Sequence, residues 1–205
     1  AQQGFFFSGQ DLSALVQIQA REPLTFVNFL SKFQTLRQFY RSQEIIERLT
    51  REVIEDAARD GILHLELRFT PSALATVQGF TIVQVMDWVS CSAVDAAQKA
   101  GISVKLIASV NRNEPVALAE DVARLAAERL DQGIVGLDLA GNEAQFPALP
   151  FAGLFREAEQ SGLHVTIHAG EWGGAENVRE AIEELHAERV GHGVRVMESP
   201  SMVRA

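Results

Sequence analysis

The segment LHVTIHAGEWGG, residues 163–174, combines side chains that can carry out acid–base or metal chemistry. Residues 163–168 alternate between apolar and polar types, which predicts a β-strand with one buried face. The strand ends at His168, and Glu171 follows in a glycine-containing turn. An imidazole and a carboxylate at this spacing can bind a metal ion or hold and transfer a proton.

A second histidine, His192 in RVGHG, lies at the end of the next predicted strand. Neighbouring strands of a sheet lie about 5 Å apart, so we expect His168 and His192 to be close to each other. Taken alone, each histidine is more often a hydrogen-bonded core residue, and Glu171 has a competing interpretation as a helix-capping carboxylate. Two histidines on adjacent strand ends, with a carboxylate between them, favour a functional site. We assign His64, by contrast, to a structural network with Glu66 and Arg68.

The strands that would position His168 and His192 belong to an alternation of helices and strands along the whole chain. Helical periodicity is predicted over 41–60, 81–100, 116–131, 151–161 and 175–187, and an alternating strand follows each run after a short joint. This order predicts a parallel α/β protein. Polar residues such as Asp138 alternate with apolar ones in several strands, whereas a doubly wound sheet has strands that are apolar on both faces. The pattern favours a barrel with a polar interior and its chemistry at the carboxyl ends of the strands.

Composition limits the class of protein. A length of 205 residues with 47% hydrophobic residues predicts a single domain, and a net charge of −9 argues against a nucleic-acid partner. No apolar stretch approaches membrane-spanning length, and the start of the sequence has no basic segment of a signal peptide. The single cysteine, Cys91, excludes an internal disulfide and a multi-cysteine zinc cluster, and we expect it to be buried. We expect a cytoplasmic protein with no membrane partner, and the sequence predicts no oligomeric state.

Four segments in order carry a resemblance to a known family: HLELRFTP (64–71), GLDLAGNE (136–143), HAGE (168–171) and RVGHG (189–193). Together with PLTFVNFLSKF (23–33), this set resembles the successive motifs of the adenosine deaminase family. The resemblance implies a TIM-type (β/α)8 barrel. Residues 1–205 are then a single, incomplete barrel domain that holds about strands two to six. Residues 1–60 are then a helical insertion between the first and second barrel strands.

The resemblance also implies a reaction and residue roles. The family hydrolyses adenosine or 2′-deoxyadenosine to inosine and ammonia with one zinc ion. His168 matches a zinc ligand, and Glu171 matches the glutamate that protonates the purine ring nitrogen beside the attacked carbon. His192 matches the histidine that orients and stabilises the hydroxide on the metal, and the backbone of Gly141 matches a purine contact. The implied partner is a small-molecule purine nucleoside, and zinc would supply a nucleophile at neutral pH.

The departures from the family pattern leave alternatives open. The family takes two more zinc ligands from a His-x-His pair on the first strand and an aspartate from the last strand. No His-x-His pair occurs in the 205 residues, and the aspartate segment lies beyond MESPSMVRA. We therefore expect these residues alone to leave the zinc site incomplete. Deamination of adenine or another 6-aminopurine is the nearest alternative. A non-catalytic purine-binding protein or fragment form on the same scaffold is the other.

Overall fold

A computed structural model describes residues 9–204 and contains one parallel sheet. Its strands are β1 (His64–Phe69), β2 (Ser103–Asn111), β3 (Ile134–Ala140), β4 (His164–Ala169) and β5 (Arg189–His192). They pair in chain order, β1-β2-β3-β4-β5, and every pairing is parallel. A doubly wound sheet reverses its strand order at a switch point, whereas a (β/α) barrel keeps the order of the chain. The predicted fold class, a partial TIM-type barrel, is confirmed.

The sheet is curled, as side chains of distant strands show. In a flat sheet, three strand spacings would place β1 about 14 Å from β4. Arg68 on β1 nevertheless approaches the ring of His168 on β4, with Nη1 3.2 Å from each ring nitrogen. Glu66 on β1 likewise pairs with Arg189 on β5. These contacts cross the concave side of the sheet, so that side corresponds to the interior of the barrel.

Helices separate the strands. Their bounds are α1 (Gly9–Val16), α2 (Phe26–Arg37), α3 (Gln43–Arg59), α4 (Pro71–Thr76), α5 (Ile82–Ala100), α6 (Val116–Ala127), α7 (Ala152–Gln160), α8 (Ala175–Glu183) and α9 (Pro200–Arg204). The five helices predicted from periodicity are present, but the predicted run 116–131 divides into α6 and a 3₁₀ turn at Leu130–Gln132. None of the helices within residues 9–204 is long and apolar enough to cross a membrane.

Local sequence signals explain where the long helices begin and end. The Ser42 side chain accepts a hydrogen bond from the backbone N–H of Ile45 at the start of α3. Thr81 and Gln84 form a reciprocal capping box at the start of α5. That helix ends at Gly101, which has the left-handed φ of 70° that glycine adopts without strain. These caps fix the lengths of the helices that cover the sheet.

The core joins the sheet to the helices on its outer side. Leu137 and Leu139 of β3, Ile167 of β4 and Phe155 of α7 have no exposed surface. Cys91 is exposed on α5, so the expectation of a buried cysteine was wrong. Helices α1–α3 precede β1, while residues 1–8 of the predicted insertion lie outside the described residues. The position of 1–60 between two barrel strands therefore stays a prediction.

Candidate active site

The structure brings His168, Glu171 and His192 together at the carboxyl ends of β4 and β5. Parallel pairing places His168 opposite Gly191 and Ala169 opposite His192. The two imidazole rings have their centroids 5.1 Å apart. Oε2 of Glu171 lies 3.5 Å from Nε2 of His192. The carboxyl ends of β4 and β5 thus carry two imidazoles and a carboxylate within reach of a small ligand.

A buried carboxylate orients His168. Nδ1 of His168 donates a hydrogen bond to Oδ1 of Asp138 at 2.9 Å, and Asp138 has no exposed surface. The other oxygen of Asp138 accepts a hydrogen bond from Oγ of Ser109 at 2.8 Å. With Nδ1–H given to the carboxylate, Nε2 keeps its lone pair for a metal ion or a proton. The sequence pattern placed Asp138 on this face of the sheet but did not assign it to the site.

Arg68 also belongs to this cluster. Its Nη1 is 3.2 Å from both ring nitrogens of His168, which places the guanidinium over the face of the ring, and 3.4 Å from Oδ1 of Asp138. Gly191 lies beside this pair, and a Cβ there would be in ordinary van der Waals contact, 3.5 Å from Arg68 Nη1 and from His168. The predicted network of His64, Glu66 and Arg68 is wrong in this respect. His64 contacts Glu66 and Ser103, but Arg68 faces His168.

The backbone of His192 is unusual. His192 has a φ of 67°, in the left-handed region that non-glycine residues rarely occupy, and Gly193 follows with a φ of 63°. The N–H of Gly193 donates to the carbonyl of Ala169 at 2.9 Å, which holds this bend against the end of β4. Such conformations cluster at functional sites, where surrounding contacts maintain them. The bend directs the imidazole toward Glu171.

Glu143 holds the turn that carries Glu171. Oε2 of Glu143 accepts a hydrogen bond from the N–H of Gly170 at 2.8 Å. Oε1 accepts from the N–H groups of Glu171 and Trp172, each at 2.6 Å. Burial alone would raise the pKa of this carboxyl. The hydrogen bonds from the backbone of residues 170–173 outweigh burial and hold the pKa below its usual value.

Two arginines hold the carbonyl groups of the same turn. Arg112, which is buried, donates from Nη2 to the carbonyl of His168 at 2.5 Å. Arg195 donates from Nη1 to the carbonyl of Trp172 at 2.8 Å. Burial lowers the pKa of the Arg112 guanidinium, while nearby carboxylates, Glu143 first among them, act to raise it. Charged side chains from three separate segments therefore fix residues 168–172.

Glu171 and Trp172 are adjacent in the turn, but their side chains have different partners. The interpretation of Glu171 as a helix cap is wrong, because α8 has Gly174 at its N-cap and no side-chain capping bond. The Glu171 carboxylate approaches His192 instead. Trp172 packs edge-to-face against Phe26 of α2, with ring centroids 5.3 Å apart. Helix α2 therefore reaches the turn that bears Glu171.

Gly141 lies at the carboxyl end of β3, on the same edge of the sheet. Its φ of +96° is in the region that favours glycine. A Cβ at this position would lie 3.0 Å from Oδ1 of Asn113 and 3.2 Å from the backbone N of Arg112. Space and backbone conformation both require glycine here. Its contact with a purine stays a prediction.

Replacing Gly141 with alanine is expected to lower the free energy of unfolding by about 1–2 kcal/mol, the cost of a left-handed conformation for a residue with a Cβ. Gly153→Ala is the matched control, because Gly153 lies in α7 with open space around it and no left-handed φ. Alanine is a better helix former than glycine, so this variant is expected to equal or exceed the wild type in stability. Denaturant unfolding measures both. Equal stability of the two variants would contradict the strain at Gly141.

The described residues fit one ligand position of a metal site. Within residues 9–204, no group of three or more His, Cys, Asp or Glu side chains could hold a metal ion. His168 nevertheless has the supporting bond typical of a metal-ligating histidine, from Nδ1 to a carboxylate, while Arg68 Nη1 lies 3.2 Å from Nε2, the nitrogen that would bind the metal. The donor set therefore supports His168 as one ligand and requires others from outside these residues.

Comparisons with known proteins agree with the fold and the motifs. Residues 3–205 match the family described as adenosine deaminase. The adenosine deaminase of Klebsiella pneumoniae is 37% identical over 189 residues, which are 92% of this chain and 56% of that protein. Among solved structures, the adenine deaminase of Arthrobacter aurescens superposes with a TM-score of 0.83 at 27% identity, covering 95% of this chain and 57% of that one. The N6-methyl-AMP deaminase of Arabidopsis thaliana gives 0.75 at 26% identity, with 90% and 54% covered.

This chain spans a little over half the length of the relatives that it matches. The family match extends over nearly all of its residues and includes the β3, β4 and β5 ends that carry Asp138, His168 and His192. The chain belongs to the adenosine deaminase family.

Proposed function

We propose that the protein carrying this chain hydrolyses adenosine or 2′-deoxyadenosine to inosine and ammonia, with one zinc ion at the site. The observation that carries the proposal is the convergence of His168, Glu171 and His192 at one edge of the sheet. Two imidazoles and a carboxylate are the groups that a hydrolytic deamination needs for proton transfer and for binding the nucleophile. Membership of the adenosine deaminase family supports a 6-aminopurine as the substrate class.

In the proposed reaction, water adds to the purine carbon that bears the amino group, and the ring nitrogen beside it takes up a proton. Glu171 supplies that proton from its carboxyl group. His192 orients the attacking water toward the ring and takes up the proton that the water loses as its oxygen bonds to the carbon. The carbon–nitrogen bond to the amino group then breaks, and the proton held by His192 passes to the departing nitrogen, which leaves as ammonia. The hydroxyl proton of the adduct returns to Glu171, which leaves the carbonyl group of inosine. Gly141 lets the backbone approach the purine, since no side chain intervenes.

His168 is the residue of this chain that would hold the zinc ion, through Nε2. Zinc, when bound, makes water a stronger nucleophile at neutral pH by lowering its pKa. Asp138 supports this role, because its hydrogen bond to Nδ1 fixes the ring orientation and the tautomer. Arg68 contacts both Asp138 and the ring of His168 through Nη1.

Adenosine is proposed ahead of adenine on the basis of similarity. The adenosine deaminase of Klebsiella pneumoniae is 37% identical to this chain, compared with 27% for the adenine deaminase of known structure. The proposed location is the cytoplasm, in keeping with the acidic composition and the single cysteine.

The proposal is tested with the protein at its natural length, incubated separately with adenosine, 2′-deoxyadenosine, adenine and N6-methyl-AMP. We expect ammonia and inosine from adenosine, loss of this activity after treatment with a chelator, and recovery on addition of zinc. Ammonia from adenine alone would establish the alternative substrate. A protein that binds purines, contains no zinc and releases no ammonia would be the non-catalytic form, and the deaminase proposal would be withdrawn.

A further inference from the structure

We propose that Glu143 is a positioning residue, whose buried carboxylate fixes the backbone of residues 170–172 so that the Glu171 side chain faces the substrate. This inference rests on the proposed function, in which Glu171 transfers a proton to the purine. In the proposed reaction, Glu143 itself contacts neither the carboxylate of Glu171 nor a reacting atom. It acts through the backbone of the turn.

The hydrogen bonds of Glu143 are directed at three successive backbone N–H groups. The two carboxylate oxygens share the donors of Gly170, Glu171 and Trp172, at 2.8, 2.6 and 2.6 Å. Hydrogen bonds to an ionised acceptor are stronger than those between neutral groups. Glu143 is also only 5% exposed, so water does not compete for these donors. The N–H groups of residues 170–172 therefore take their hydrogen-bond acceptors from this one side chain, while Arg112 and Arg195 bond to carbonyl groups of the same segment.

Glu143 is in turn held on its own loop. The backbone carbonyl of Glu143 accepts a hydrogen bond from Nδ2 of Asn177 on α8 at 3.2 Å. Oδ1 of Asn142 accepts from the N–H of Ala144 at 3.1 Å, which closes a tight turn around Glu143. The loop that carries Glu143 is thus held by α8 and by its own turn, through contacts separate from those to residues 170–172.

Glutamine at position 143 would disturb this arrangement without changing its size. One carboxylate oxygen would become an NH₂ group, which is a donor and faces another backbone donor. At least one N–H of the turn would then lose its acceptor in a buried place. A displacement of about 1 Å at a catalytic group can reduce a rate by 10²-fold, so we expect a substantial effect on turnover.

Hydrogen exchange tests the structural part independently of activity. In the protein at natural length, the amides of residues 170–172 are expected to exchange at least about tenfold faster in Glu143→Gln than in the wild type, because the one remaining oxygen cannot accept from all three N–H groups. The control variant is Glu157→Gln, which replaces an exposed carboxylate on α7 and should leave these amides unchanged. Unchanged exchange of residues 170–172 in Glu143→Gln would overturn the inference.

A double-mutant cycle with Glu171→Gln tests the functional part. We expect Glu143→Gln to lower kcat by about 10- to 100-fold in the wild-type background, with KM and zinc content little changed. In the Glu171→Gln background, the same change should cost less than about threefold, since residues that act as a unit are non-additive. A purely structural role would reduce kcat by the same factor in both backgrounds and would overturn the inference. Full activity of Glu171→Gln would instead contradict the proposed function. The exchange measurement would still test whether Glu143 fixes the backbone of residues 170–172.

Discussion

Replacing Glu171 with glutamine is expected to lower kcat for adenosine by about 10²- to 10⁴-fold, the usual contribution of a positioned general acid. Glutamine has nearly the same shape and keeps a hydrogen-bonding group near His192, from which Oε2 of Glu171 is 3.5 Å away. It has no acidic proton to give to the purine ring. The loss should therefore fall on turnover, measured as the rate of ammonia release at saturating substrate.

Zinc content separates this role from the alternative one. A ligand role for Glu171 would make Glu171→Gln lose the metal, whereas a proton-transfer role leaves the metal in place. Glu176→Gln on α8 is the matched control, because it makes the same change five residues away on a side chain that is 76% exposed. It should have wild-type turnover. A Glu171→Gln variant without zinc would show that the carboxylate is a ligand and would end the acid assignment.

The fold was predictable because its signals are local and repeated. Four of the five joints from a helix to the next strand within residues 9–204 carry a glycine with a left-handed φ: Gly61, Gly101, Gly133 and Gly162. The alternation around Asp138 indicated a barrel interior, since Leu137 and Leu139 lie on the opposite side of the strand. The curled sheet with strands in chain order agrees with that interpretation.

The sequence predicted a site residue only where the position of its side chain is determined by the strand that carries it. His168 and His192 could be placed because period-two alternation and strand adjacency determine their neighbours. Arg68 was assigned to the wrong partners, because alternation gives the face of the sheet but not the curvature that brings β1 to β4. The roles of Glu143 and Arg112 had no sequence signal. Their partners are backbone groups more than 25 residues away, and any residue type provides those groups.

Replacing His168 with alanine is expected to cause the largest loss of metal among the changes at this edge of the sheet. The variant removes the Nε2 atom that the Asp138 hydrogen bond leaves available. Asp138→Asn keeps that atom but weakens its orientation, and losing such a supporting partner typically costs about 10- to 100-fold in metal affinity. We therefore expect zinc affinity to fall in the order wild type, Asp138→Asn, His168→Ala. Zinc content after dialysis against a chelator series measures this order.

His164→Ala is the control for this series, because His164 lies on the same face of the same strand but at the opposite end. It pairs with Glu188 at 2.9 Å, and its side chain is 63% exposed. Its loss should leave zinc and turnover unchanged. If His168→Ala kept full zinc and lost only turnover, His168 would act on substrate or protons, and the ligands would all lie outside these residues. Observation of the graded order would instead identify His168 as a ligand, because loss of an orienting carboxylate reduces metal affinity by a smaller factor than loss of the ligand itself.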